Sequence, residues 1–246
     1  MLAILSPAKN MRCAARPGLC VRPPRFASET ARLANVLKSY AAWELESLLR
    51  VNPGLALRAF TDFQDFDLRA PGTPALTSYF GLAFTHLGAQ DFNAADMAFA
   101  DGHLRILSAL YGSLRPSDGI QPYRLEMQSR LKIDGKNLYG FWGDKLYRDL
   151  FKNREPVVCL ASNEYAKAVT PFLRAGDRLI TCTFLTPKRG RLVTLATAAK
   201  MARGGMARFI VQNRVEEPEA LRQFEGAGFV FSRSLSSGDR YVYVQE

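Results

Sequence analysis

The sequence predicts one mixed α/β (α+β) domain over residues 1–246, and three observations predict it. Apolar runs short enough to be buried strands recur between stretches with helical spacing. The Gly, Pro and Asn signals between them span only a few residues, so no linker divides the chain. Neither an internal repeat nor a low-complexity tract interrupts the alternation. A chain of 246 residues can bury a substantial core without staples.

Met1–Leu5 predicts a buried strand, which leaves through the tight loop Ser6-Pro7-Ala8-Lys9. Residues 10–27 are rich in Pro and Arg without periodicity, so extended or partly mobile chain is expected there. Ser28 is a candidate N-cap for a helix with Leu33, Val36, Leu37 and Tyr40 on one face. Trp43, Leu45, Leu48 and Leu49 mark a second helix that stops near Asn52-Pro53-Gly54. A third runs from Leu55 to Phe63.

Two short helices around an Asn-Pro-Gly turn suit a hairpin that holds DNA phosphates on backbone N–H groups. The usual Gly-x-Gly turn is absent, however, and Asp62, Asp65 and Asp67 beyond it oppose phosphate.

Asp101 predicts the cap of a helix with Leu104, Leu107 and Leu110 or Tyr111 inward, ended by Gly112. Asn137–Asn153 reads as one helix carrying Phe141, Trp142, Leu146 and Leu150. Pro156–Leu160 is a continuous apolar run typical of a fully buried strand, and Ser162-Asn163-Glu164-Tyr165 opens the next helix. Arg178–Leu185 and Arg191–Ala196 form a predicted hairpin, followed by helices over Lys200–Arg214 and Glu217–Phe224. Gly228–Arg233 is expected to pair with Arg240–Val244 across Ser236–Asp239.

Net charge is +10 and the isoelectric point is near 9.7, which favours polyanionic partners. The charge is uneven. Residues 9–25 hold Lys9, Arg12, Arg16, Arg22 and Arg25 with no acid. From Arg174 to Arg214 nine basic residues face the single Asp177. Cys13, Cys20, Cys159 and Cys182 form no CxxC pair, and only His86 and His103 could assist them, so no metal site is predicted. No apolar run approaches the roughly 18 residues of a membrane span. The start MLAILSPAKN lacks a basic leader, so a cytoplasmic location and no membrane partner are expected.

The chemistry-bearing residues gather in Ser6–Lys9, Arg115–Glu126, Trp142–Asp144, Ser162–Lys167 and Lys200–Arg208. The block Leu107–Met127 turns at Gly112, Pro116 and Gly119 and delivers Arg115, Tyr123, Arg124 and Glu126 around those turns. Such a cluster either grips a polar ligand or braces a loop through a buried Arg–Glu pair. In open α/β sheets ligands bind outside the carboxyl ends of strands. If the strands at Leu2 and Val157 are parallel neighbours, Lys9, Ser162 and Glu164 share one rim. Capping of their helix is the alternative role for Ser162 and Glu164.

Lys200, Arg203 and Ala207 share one helical face, and Gly204-Gly205 permits close backbone approach. That face suits a phosphate backbone or solvent. Walker, GxGxxG, HExxH and GxSxG motifs are absent, so catalysis would fall to Lys, Tyr, Glu and Arg.

SPAK at 6–9, HLRILSALYGSLRPSDGIQPYRLEM at 103–127, LYGFWGD at 138–144 and LASNEYAK at 160–167 resemble the YaaA family of bacterial peroxide-stress proteins. AKMARGGMARFIVQNR at 199–214 and Gly228–Phe231 continue the resemblance in the family's order. It implies a single domain with a curved central sheet flanked by helices, described as cantaloupe-like, with a helix-hairpin-helix element. It also implies a cytosolic role that limits oxidative damage by lowering available iron, together with binding to double-stranded DNA.

The expected DNA contacts are Lys188, Arg189, Lys200, Arg203, Arg208 and Arg214. The alternative is an enzyme acting on a small phosphorylated or nucleobase substrate. Its candidate residues are Lys9, Tyr123, Arg124, Glu126, Asp144, Ser162, Glu164 and Lys167, lining a cleft for a small anionic ligand. No cofactor is predicted.

Overall fold

Short apolar strands build the centre of the molecule. Leu2–Leu5, Leu104–Ser108 and Val157–Cys159 are buried at every residue. Successive strand residues point to opposite faces, so both faces of the sheet's centre are covered. The computed structural model describes residues 1–12 and 21–246. Cys13, Arg16 and Cys20 lie outside them.

Among the described residues these strands belong to an eight-stranded mixed sheet. Across it run Phe229–Phe231, Arg240–Gln245, Leu179–Lys188, Val157–Cys159, Leu2–Leu5, Leu104–Ser108 and Gly112–Leu114. Arg191–Val193 joins through the far half of Leu179–Lys188. The five strands from Arg240–Gln245 to Leu104–Ser108 are parallel, and the two outermost strands are antiparallel to their neighbours. Numbered in chain order, the parallel strands lie second, first, third, fourth and fifth across the sheet. The direction of winding reverses between the first and third, Leu2–Leu5 and Val157–Cys159. Crevices open at such a reversal.

Helices flank the sheet. Ala94–His103 packs on Leu2–Leu5 and Leu104–Ser108, and Ala196–Gln212 packs on Leu179–Lys188 and on helix Leu82–Leu87. Helix Ala27–Lys38 buries Leu33, Ala34 and Leu37, and contacts helix Pro53–Gln64, which in turn packs on Ala42–Leu49.

Several expectations are corrected. Leu104–Ser108 is a strand, not a helix capped by Asp101. The spacing of Leu104, Leu107 and Leu110 fits a helical stripe, but a run buried on both sides has no distinguishing period. Asp101 instead accepts hydrogen bonds from the backbone N–H and hydroxyl of Ser117. Gly112 begins the antiparallel return with φ at +76°, and the Trp142 ring lies 2.8 Å from where a Cβ would sit.

The Asn137–Asn153 helix is two helices, Leu138–Trp142 and Lys145–Leu150, broken at Gly143. Ser28 lies inside its helix instead of capping it, and Trp43 of the second helix is 76% exposed. Pro53 and Gly54 begin the third helix, capped by the Asn52 side chain, while Arg50 carries the left-handed turn. That junction supplies no glycine loop for phosphate. The hairpin at Lys188 turns tightly through Arg189 and Gly190, both at positive φ.

Candidate functional site

The reversal in winding brings two loops together. Ile4 is in register with Cys159, so Ser6 and Ser162 leave adjacent parallel strands side by side. Ser6 Oγ donates to Ser162 Oγ at 3.1 Å and accepts from the Ser162 backbone N–H at 2.8 Å. Ser162 stands at the N-cap of the short helix Asn163–Ala166 yet makes no side-chain cap bond. Its hydroxyl oxygen is occupied as an acceptor, which leaves its proton to donate.

A cleft of about 280 Å³ opens above this staple. Lys9, Glu126, Glu164, Lys200 and Arg203 supply its charged groups, and Ser162 is among its polar ones. Lys9 Nζ lies 2.8 Å from Glu126 Oε2. Glu164 Oε1 accepts from the Gln128 backbone N–H at 3.2 Å. Burial pushes the Glu164 carboxyl above its usual range, reinforced by the Glu126 charge and opposed by the N–H groups of Gln128 and Met127 and by Lys9.

Arg203 is half-buried, and its Nε is buried with no hydrogen-bond partner among the described residues. Burial lowers its pKa, and the groups acting on it are the Cys159 and Cys182 thiols. Tyr165 is buried in the same lining, where desolvation holds its phenol well above the ordinary range. Leu82, Phe84 and Leu160 give the cleft an apolar wall.

A close helix contact sets that wall. Gly204 of Ala196–Gln212 sits on Ala83, and a Cβ built there would lie 1.9 Å from the Ala83 carbonyl oxygen. The contact brings Lys200 and Arg203 beside Leu82–Phe84.

Other predicted residues lie elsewhere. Arg124 lines an adjoining cavity with Lys9, Tyr123, Arg12, Arg58 and Asp62, and its Nη1 lies 3.5 Å from the Lys9 carbonyl oxygen. Tyr123 is buried, with its hydroxyl 2.7 Å from those of both Tyr79 and Ser108. Burial pushes its phenol up to about 12, so it carries no base at neutral pH. Asp144 pairs with Arg148 at 2.6 Å and Lys167 is exposed; neither lines the cleft.

Arg115 grips the buried Asp118, so that part of the block braces a loop through an Arg–Asp pair. Lys188, Arg189 and Lys200 are exposed. Arg208 pairs with Asp91 and donates to the Leu87 and Gly88 carbonyls, and Arg214 pairs with Asp96. No catalytic residue type marks Phe80–Phe84 in the sequence; its only signal is a Gly among apolar residues, two of which, Phe80 and Leu82, stay exposed. Among the described residues no group of three His, Cys, Asp or Glu side chains is placed to hold a metal ion. Nor is any helix among them long and apolar enough to cross a membrane.

The fold and site define an α/β protein with a charged cleft at the reversal point of a mixed sheet. The chain belongs to the peroxide stress protein YaaA family, whose sequence model matches residues 1–235. It is 39% identical over its whole length to a UPF0246 protein of Agathobacter rectalis, covering 99% of that protein. UPF0246 proteins of Clostridioides difficile and Limosilactobacillus fermentum are 36% and 40% identical, with complete coverage of both chains in each case. The family supports a role in peroxide stress.

Proposed function

We propose that the chain protects the cytoplasm against peroxide through its cleft, by acting on a small phosphorylated or nucleobase ligand. The supporting observation is the convergence of Lys9, Glu126, Ser162, Glu164, Lys200 and Arg203 on one cavity outside the carboxyl ends of parallel strands. The Lys9–Glu126 pair stands at this site, and Glu164, whose carboxyl burial raises above its usual range, suits proton transfer. Lowered available iron is the expected cellular outcome.

The test compares cells lacking the protein with cells complemented by the parent or by Lys9→Ala. Survival under peroxide and chelatable iron are measured together. The variant is expected to be folded, unprotective and iron-rich. A folded Lys9→Ala protein that protects as well as the parent overturns the reading.

A second reading, binding to double-stranded DNA, is supported by the +10 charge and by exposed Lys188, Arg189 and Lys200. Duplex affinity should then fall steeply with salt, and joint replacement of these three by alanine should shallow the slope by about three units. Salt-independent binding, or none at low salt, removes this reading.

A further inference from the structure

Arg203 is half-buried, and among the described residues no carboxylate pairs with it. Its Nε is buried with no acceptor among the described residues, and the groups acting on its charge are two thiols and no carboxylate. Burying a guanidinium N–H without an acceptor costs stability, and folds keep such a group where a ligand supplies the acceptor. The Ser162 hydroxyl and the Lys200 ammonium are among the other donors that line the same cleft. The Ser162 hydroxyl proton has no partner among the described residues, and neither does the exposed ammonium of Lys200.

The two carboxylates of the cleft each have a partner of their own. Glu126 is engaged by Lys9 and Glu164 by the Gln128 N–H, and neither carboxylate is among the groups acting on Arg203. Leu82, Phe84 and Leu160 line the same cavity and offer nothing polar from their side chains.

We propose that the cleft holds a nucleoside-monophosphate-like molecule in one orientation. Its oxyanion sits on Arg203, Ser162 and Lys200, its ring lies along the apolar wall, and an amine or amide N–H edge faces Glu164 and Glu126. Arg203 is thus the anchor for a small ligand and not a contact to duplex DNA. The assignment rests on the cleft reading above and gives it a polarity that the reading alone lacks.

Calorimetric titration of the full chain with AMP, GMP, adenosine and inorganic phosphate tests it. AMP or GMP is expected to bind, with phosphate and adenosine each weaker. Arg203→Met should lose at least about tenfold in nucleotide affinity while melting no lower than the parent without ligand, because a buried N–H without an acceptor has been removed. Arg203→Lys should bind with intermediate affinity, keeping the charge without the fork. Glu164→Gln should weaken the nucleotide and leave phosphate unaffected.

A cleft-filling Leu82→Trp variant separates the two levels of the argument. Nucleotide binding that survives Arg203→Met but is lost in Leu82→Trp overturns the anchor and keeps the cleft. Binding that survives both, or no binding of any of the four compounds by the parent, overturns both. Displacement of bound nucleotide by a duplex at equal phosphate concentration overturns the small-ligand assignment.

Discussion

Lys9 Nζ lies 2.8 Å from Glu126 Oε2, joining the exit of the first strand to a loop well over a hundred residues along the chain. The side chains are 62% and 30% exposed. Exposed pairs of this kind contribute about 0–1 kcal/mol, since water screens the attraction and two long side chains lose freedom. Lys9→Ala should therefore change the melting temperature by no more than about 3 °C for a chain of this size. Thermal unfolding followed by circular dichroism measures this. A larger drop would make the pair a structural brace.

Glu164 makes a pH-dependent contribution. Burial raises its folded pKa above the unfolded value, so its contribution to stability is complete below the unfolded pKa. That contribution is lost as pH rises through the folded pKa, above which the ionised group opposes folding. Glu164→Gln keeps an oxygen for the Gln128 N–H and removes the charge. It should melt above the parent at pH 7 and converge with it near pH 4. Melting curves across this range check the sign, and an advantage that grows as pH falls contradicts the assignment.

The rim of the cleft is readable from residue order because its strands are apolar runs too short for a helix and bounded by loop residues. Leu2–Leu5 and Val157–Cys159 are unbroken apolar runs followed by polar residues, and neighbouring parallel strands must deliver those residues to one edge. Arg203 was harder to place. Helical periodicity put it on a basic face, but the approach of Gly204 to Ala83 turns that face inward. The Phe80–Phe84 wall depends wholly on this tertiary contact, which no local pattern encodes. Leu104–Ser108 failed for a different reason, since burial on both faces erases the period that separates strand from helix.

Arg115 holds Asp118 by its backbone N–H at 2.9 Å and through Nε at 2.8 Å, and the Asp118 side chain is completely buried. Burial still leaves that carboxyl above its ordinary range despite the guanidinium. Arg115→Ala would strand the carboxylate in the interior, at a cost of about 3–5 kcal/mol. Urea unfolding at pH 7 measures it. A loss under about 1 kcal/mol would show that water reaches Asp118 when the arginine goes.

Gly204→Ala probes the contact that shapes the cleft. A Cβ at this position meets the Ala83 oxygen at 1.9 Å, its carbonyl carbon at 2.7 Å and its Cα at 2.9 Å. All three are backbone atoms, so no rotamer change relieves the overlap, and the helices Leu82–Leu87 and Ala196–Gln212 must separate. Alanine's better helix propensity returns about 1 kcal/mol, while overpacking against backbone costs about 1–3 kcal/mol or more. The overlap decides the sign, and the variant should be less stable by about 2 kcal/mol. Gly205→Ala is the control. Its nearest neighbour is the Phe224 ring at 3.6 Å, an ordinary contact, so the propensity gain should prevail and stability should rise. Equal effects at the two positions in denaturant titrations would mean that Ala83 yields, and that the close approach does not hold the cleft wall in place.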